Sequence, residues 1–394
     1  MMSEKLIPNG FCVLPWVSQF RDNDGVTAPC CLYRAQEAGA LKLSDLKQAM
    51  LKGEWSPGCK DCQSFESRGG SSYRLQRNQQ YPLECQQILD GKAQGLIDLD
   101  LRVGNLCNLR CKMCGPSSTR KWVQNWNELH PKEYGFSENA LKGFLVNPWS
   151  RDPSQWDDLW QRSQNLKTLN FAGGEPFLSP EVEVFLQRFI DSGQAAQISL
   201  HFITNLTVLP ESLLTKFSSF QQTSLTVSLD GAWELNDYIR SLSDFEVIAK
   251  HLHVLDQRFH ELKLDRISVN TTFQAYNVLG IQALVDFLKQ FKNILPLPYL
   301  NPLTDPDYFS AKVLPSDLRS LGAERLEKIA TESVHAPEWL RSSFQQSIQF
   351  LREESPAHER LLGVLLKETL KLEKASGPSL KQVAPELYMA LYLS

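Results

Sequence analysis

No apolar run in this 394-residue chain approaches the roughly 20 residues that a membrane-spanning helix needs. Charge of one sign is also missing: 41 Lys and Arg stand against 45 Asp and Glu, a net charge of -4. Without a bulk basic field, no nucleic-acid partner is expected. The opening residues, Met1-Met-Ser-Glu-Lys, lack the basic-then-apolar pattern of a secretory signal. The expected location is therefore cytoplasmic, with no membrane partner. Histidines number only 7 and form no HExxH. His251 and His253 lie two apart on a predicted helix, so they do not share a face. GxSxG and GxxxxGK[ST] are both absent, which removes the nucleophile-elbow hydrolases and the P-loop nucleotidases. There is no repeat and no low-complexity tract. What remains is an ordinary globular composition, 42% hydrophobic and 22% charged, long enough for two or three domains.

Cysteine carries the information. Eight of the 9 cysteines form two groups: Cys12, Cys30, Cys31, Cys59 and Cys62, then Cys107, Cys111 and Cys114. In a reducing compartment such grouping reads as metal ligation, not as a disulfide framework. Cys85 stands between the groups and reads as a buried small hydrophobe. The second group has CxxxCxxC spacing within Gly104-Asn-Leu-Cys-Asn-Leu-Arg-Cys-Lys-Met-Cys-Gly-Pro. Three thiolates on one short loop can wrap a 4Fe–4S cluster and leave its fourth iron open to a small molecule. Zinc more often shows paired CxxC knuckles, and it is the alternative for the triplet taken alone, beside reduced buried thiols.

Residues 1–95 are loop-rich, punctuated by Pro15, Pro29, Pro57 and several glycines. Residues 96–305 alternate strand and helix. Strand-like runs occur at Leu96–Val103, Leu166–Phe171, Gln197–Ile203, Ser224–Leu229 and Arg266–Phe273, with a weaker sixth near Ile294–Leu300. Helical periodicity fills segments such as Pro180–Ser192 and Ser243–Phe259. The pattern predicts an α/β fold, a partial (β/α)6 TIM-like barrel preceded by a cysteine-rich module. Residues 306–394 are predicted helical, including Ala323–Ser333 and Glu359–Lys374. The connection between the first two barrel strands holds five of the 9 tryptophans, Trp122, Trp126, Trp149, Trp156 and Trp160, read as helix-packing residues.

The CxxxCxxC loop follows the first barrel strand, at the end of the sheet where ligands bind. Other polar residues fall at the same end. Gly173-Gly174-Glu175-Pro176 follows the second strand, and Thr204-Asn205 the third. Ser228 and Asp230-Gly231 lie at the fourth, and Asn270-Thr271-Thr272 on the fifth. Two glycines let backbone approach a ligand, and Glu175 offers a carboxylate for an ammonium. Asp230 reads equally well as a helix N-cap. CxxxCxxC at the first strand and GGEP at the second resemble the radical S-adenosylmethionine (radical SAM) enzymes across roughly residues 96–305. The resemblance implies that Cys107, Cys111 and Cys114 hold a 4Fe–4S cluster whose open iron binds the methionyl amine and carboxylate of SAM. It further implies that one electron from the cluster cleaves SAM to a 5′-deoxyadenosyl radical that abstracts a substrate hydrogen. Carried over residue by residue, Met113 would lie against the adenine, and Gly173, Gly174, Glu175 and Pro176 would form the amine-binding turn. Asn205, Ser228, Asp230 and Asn270 would meet the ribose or carboxylate. Catalytic residues beyond cluster and SAM are not identified.

The first cysteine group reads C-x12-G-x4-C from Cys12 through Gly25 to Cys30, closed by Cys59-Lys-Asp-Cys62, with a turn at Asn23-Asp24-Gly25. It resembles the SPASM and twitch modules that carry auxiliary iron–sulfur clusters in radical SAM enzymes. Here the module precedes the barrel, and no further cysteine follows Cys62 closely, as a full SPASM module would require. The resemblance implies one auxiliary 4Fe–4S cluster on Cys12, Cys30, Cys59 and Cys62, with Cys31 the alternative to Cys30 and zinc the alternative metal. Glu66–Asn78 and Leu380–Leu387 also resemble segments of twitch-type proteins.

The function implied is radical hydrogen abstraction, with oxidative modification or crosslinking of a peptide or protein substrate as the leading expectation. The alternatives are the same chemistry on a sugar, nucleoside or amino acid derivative, and a non-catalytic iron–sulfur scaffold. A flavodoxin- or ferredoxin-type electron donor is the expected partner.

Overall fold

A computed structural model describes residues 6–392 apart from 68, 93, 147, 356 and 376. Met1–Lys5, read above for a signal, and Arg68 of the Glu66–Asn78 stretch lie outside the described residues. The strands are β1 (Ser18–Arg21), β2 (Thr27–Ala28), β3 (Asp98–Arg102), β4 (Arg110–Cys111), β5 (Thr168–Ala172), β6 (Ser199–Thr204), β7 (Gln222–Ser228), β8 (Arg240–Ser241), β9 (Leu264–Phe273) and β10 (Tyr299–Pro302). β3, β5, β6, β7, β9 and β10 are parallel and lie side by side in chain order. An order without reversal puts every crossover on one face, which curls the sheet into a partial barrel instead of a doubly wound sheet. All six barrel strands expected from the sequence are present.

Alternation along the strands sorts the two faces. Leu99, Leu101, Phe171, Phe202, Val227 and Ile267 are buried in one core with the helices Pro180–Asp191 and Phe245–Gln257. The inner face is polar instead. Asp100, Asn170, His201 and Ser224 stand in register across four strands, and Ser228 stands opposite Asn270. Asn170, His201, Thr226, Ser228 and Asn270 remain partly exposed, so this face is lined but not filled.

The N-terminal region departs from its loop-rich expectation. It contains the helices Leu43–Leu51, Lys60–Ser67, Tyr73–Gln80 and Pro82–Leu89. Each is 8 or 9 residues long, too short for its periodicity to show among prolines and glycines. They pack around Phe11, Val13, Leu46, Met50 and Ile88, with Cys85 fully buried as expected. β1 pairs parallel with β3, and β2 closes the edge antiparallel. This region is therefore hydrogen-bonded into the barrel sheet.

The C-terminal helices Ser316–Glu332, Glu338–Arg352 and His358–Ala375 share a second core with Trp122, Trp126 and Tyr238. Met113 and Cys114 pack against that core, so these helices back the cysteine loop. Glu338–Arg352 also covers the sheet edge, where Ser343 Oγ accepts the Leu300 N–H at 3.1 Å. Trp122, Trp126 and Trp156 are buried, and Trp149 and Trp160 pack on the barrel core, as their packing role predicts. Among the described residues, no helix is long and apolar enough to cross a membrane.

Candidate active site

Cys107, Cys111 and Cys114 leave the C-terminal end of β3 on a loop that is held at several points. β4, which contains Cys111, pairs antiparallel with β8 and sets Cys111 opposite Arg240. The Trp122 indole N–H donates to the Cys111 carbonyl at 2.9 Å, and Thr119 Oγ1 to the Leu109 carbonyl at 2.7 Å. Cys107 Sγ accepts from the Leu109 N–H at 3.4 Å and from Asn205 Nδ2 at 3.6 Å. Donors aimed at sulfur stabilise thiolate and raise the potential of a cluster bound there. Burial pushes the Cys107 thiol up to about 12. Cys111 and Cys114 share a hydrogen bond that raises the first and lowers the second, and the Arg240 guanidinium favours the thiolate of both. Three thiols beside a buried cation and sulfur-directed N–H groups fit an iron–sulfur cluster.

The GGEP turn lies against this loop. Gly173 and Gly174 have φ of +77° and +51°. A Cβ on Gly174 would stand 2.5 Å from the Leu106 carbonyl oxygen, and the Glu175 N–H donates to that oxygen at 2.8 Å. The close approach that Gly174 permits is thus to the cysteine loop's own backbone. Gly174→Ala is expected to cost roughly 2 kcal/mol or more, from the left-handed backbone and the clash. The checks are the denaturation midpoint and the iron retained after reconstitution.

Glu175 is buried, and its carboxylate accepts from Thr204 Oγ1 at 2.7 Å, the Asn205 N–H at 2.7 Å and the Phe177 N–H at 3.1 Å. Burial pushes it up to about 7 against the lowering effect of those bonds and of Arg240. The side chain read as an ammonium partner is turned inward, tying the end of β5 to the end of β6. Pro176 opens the short turn Pro176–Leu178 that follows. Asn205 continues the chain of contacts to Cys107, and its Nδ2 also donates to Asn108 Oδ1 at 3.2 Å. Glu175, Asn205 and Cys107 therefore form one connected unit.

Asp230 is fully buried, 2.8 Å from Arg240 Nε, and accepts the Thr272 N–H at 2.7 Å. Burial raises its carboxyl and Arg240 lowers it. It acts on the cysteine loop through Arg240 and does not cap a helix. Ser228 and Asn270, half-buried, sit side by side on the inner face. Met113 is half-buried against the second core. Arg240 escaped the sequence reading, because a lone arginine after a short helix carries no motif; only the β4–β8 pairing brings it to Cys111.

Cys12, Cys30, Cys59 and Cys62 line one apolar pocket with Leu14, Tyr33 and Met50, and Arg74 reaches the same pocket. Arg74 also donates to the Phe11 carbonyl at 2.6 Å, and Asn78 Nδ2 to the same oxygen at 2.9 Å, so the Glu66–Asn78 stretch frames the thiols. Burial raises all four thiols, Cys59 to about 12. Metal loading would release their protons. Cys31 points elsewhere: its thiol faces Asp100 on the barrel's inner side, and burial, then Asp100, raises it to about 11. The geometry separates the two adjacent cysteines.

A parallel partial barrel with a three-thiol loop at its strand ends defines an iron–sulfur enzyme of the α/β-barrel class. Residues 101–270, which hold most of the barrel and the three-cysteine loop, match the family model of the radical SAM superfamily. The cofactors this match supports are SAM and a 4Fe–4S cluster. No curated protein matches the chain. Among solved structures, native anSMEcpe with bound AdoMet is 16% identical over 60% of this chain and 61% of that one, with a TM-score of 0.40. Streptococcus suis SuiB bound to precursor peptide SuiA is 14% identical over 81% and 71%, also at 0.40. TYW1 with a lysine-pyruvate adduct bound is 16% identical over 58% and 72%, at 0.30. This chain spans 61% of the length of the first of them.

Proposed function

We propose that this enzyme abstracts hydrogen from a peptide or protein substrate and leaves it oxidised or crosslinked. When bound, the cluster and SAM supply a reductively generated carbon radical for that abstraction. Cys107, Cys111 and Cys114 would hold the cluster, Asn205 would stabilise the Cys107 sulfur, and Arg240 would offset thiolate charge. The observation that carries the substrate class is the inner face. Asn170, Thr226, Ser228 and Asn270 present uncharged donors and acceptors, partly exposed, at the strand ends and below them. Such groups suit the amides of an extended chain better than a bare hydrocarbon. The N-terminal region, residues 1–95, would hold one auxiliary 4Fe–4S cluster on Cys12, Cys30, Cys59 and Cys62. With four thiolates and no open iron, that cluster suits taking up the electron left after abstraction. A flavodoxin- or ferredoxin-type protein would deliver the first electron. Residues 306–394 would back the cysteine loop.

The test is anaerobic reconstitution followed by reaction with SAM, dithionite and a peptide mixture. The expected result is 5′-deoxyadenosine together with a peptide that has lost a pair of hydrogens. Turnover stimulated by sugars or nucleosides, with every peptide unchanged, would overturn the peptide assignment. The two adjacent cysteines allow a sharper check on the auxiliary cluster. Cys30→Ala should lower the iron content from about eight to about four per chain, whereas Cys31→Ala should leave it unchanged. Iron loss in Cys31→Ala alone would reverse the ligand assignment.

A further inference from the structure

The GGEP turn is where the methionyl ammonium of SAM is expected to rest, yet the Glu175 carboxylate is already engaged by three donors. A carboxylate has about four acceptor sites, and the one left on Glu175 cannot serve all three N–H groups of an ammonium, so further oxygens are needed. One stands beside the turn. Asn23 Oδ1 is buried and accepts no hydrogen bond. A Cβ built on Gly173 would come within 2.2 Å of it, and within 2.8 Å of Arg102 Cβ. Arg102 alternates with Leu101, which lies in the helix-facing core, so Arg102 belongs to the barrel's inner face. Asn23 thus reaches over the end of β3, from the N-terminal region, to the inner side of the GGEP turn. Buried acceptors without a partner are uncommon, and a bound group is one thing that satisfies them.

The segment that carries Asn23 is held firmly. The Asp22 carboxylate accepts the Asp24 and Val26 N–H groups at 3.0 and 2.8 Å, and the Gly25 N–H donates to the Asp22 carbonyl at 3.1 Å. The Trp149 indole N–H donates to that same carbonyl at 2.9 Å. Gly25 has φ of +86°, and a Cβ there would touch Trp149 at 3.1 Å. The orphan oxygen is therefore held in place against the GGEP turn.

We propose that Asn23 is a SAM-binding residue whose amide oxygen accepts a hydrogen bond from the methionyl ammonium. The proposal rests on the radical SAM reading above. It gives the N-terminal region a second role: besides carrying thiols, it completes the SAM site next to the GGEP turn.

Equilibrium dialysis tests this on the full-length, anaerobically reconstituted, unreduced protein, with SAM and with its analogue lacking the amino group. Asn23→Ala should weaken SAM roughly tenfold to a hundredfold, the value of a hydrogen bond to a charged group. It should leave the affinity for the desamino analogue unchanged. Asn23→Asp, of similar shape and with a full negative charge, should retain SAM, and the iron content should match the unsubstituted protein in both variants. Equal weakening of both ligands, or no weakening of SAM, overturns the proposal. If the iron-loaded unsubstituted protein binds neither ligand, the proposed radical chemistry itself falls, and this assignment with it.

Discussion

Replacing Cys107, Cys111 or Cys114 with alanine is expected to abolish SAM cleavage and to remove about four irons per chain. Loss of groups that merely orient metal ligands already costs roughly 10–100-fold. Loss of a ligand should exceed that, taking 5′-deoxyadenosine formation to the background rate. The physical reason is visible in the loop: Cys111 sits on β4 opposite Arg240, and Cys107 accepts bonds from Leu109 and Asn205. These contacts fix Cys107 and Cys111 at separate points of the loop, so a neighbouring cysteine is not placed to substitute. Cys31 and Cys85 lie outside the loop, one facing Asp100 and the other buried in the N-terminal core. The two measurements are iron content after anaerobic reconstitution and 5′-deoxyadenosine after reduction. Retained cleavage in any of the three variants would remove that cysteine from the ligand set.

The second large effect is on stability. Asp230→Ala strands the buried Arg240 guanidinium, whose carboxylate partner stands 2.8 Å away and has no exposed surface. Removing one partner of a buried ion pair typically costs about 3–5 kcal/mol, because the remaining charge stays desolvated and uncompensated. A drop of that size in denaturant-derived stability is expected, together with a loosened β4–β8 ribbon and poorer iron retention. Removing both charges, Asp230→Ala with Arg240→Leu, should recover part of the stability but not the iron retention, since the cation beside Cys111 is then gone. A stability change below about 1 kcal/mol for Asp230→Ala would show that Arg240 finds another partner or reaches water.

The contrast between Glu175 and Asp230 shows how residue identity and residue role come apart. Both are acids at strand ends, where a ligand contact is the natural reading of the sequence. In the structure one carboxylate ties β5 to β6 through Thr204 and Asn205, and the other neutralises Arg240. Neither use can be read from spacing, because Thr204 and Arg240 are distant in the chain from the acids they serve or lie beyond an intervening helix. The glycines behave similarly. Their need for positive φ is a local property, but the atom that forbids a side chain at Gly174 is the Leu106 carbonyl, far earlier in the chain.

What the sequence determined by itself was local and periodic. Strand–helix alternation specified the six parallel strands, since a period of two against 3.6 residues is written into each segment. The CxxxCxxC spacing kept three thiols on one short loop at the end of the first barrel strand, because a short loop has few ways to separate them. GGEP marked the neighbouring strand end. Long-range pairing decided the rest. Only the tertiary structure put β1 beside β3, set Arg240 opposite Cys111, and turned Cys30 into the thiol-lined pocket while Cys31 faced Asp100. Cys30 and Cys31 lie in the bend and turn that follow β2, and which of them meets the other cysteines depends on packing against distant helices. The approach of Asn23 to Gly173 belongs to the same class: it follows from the edge pairing of β1, which no pattern in either segment encodes.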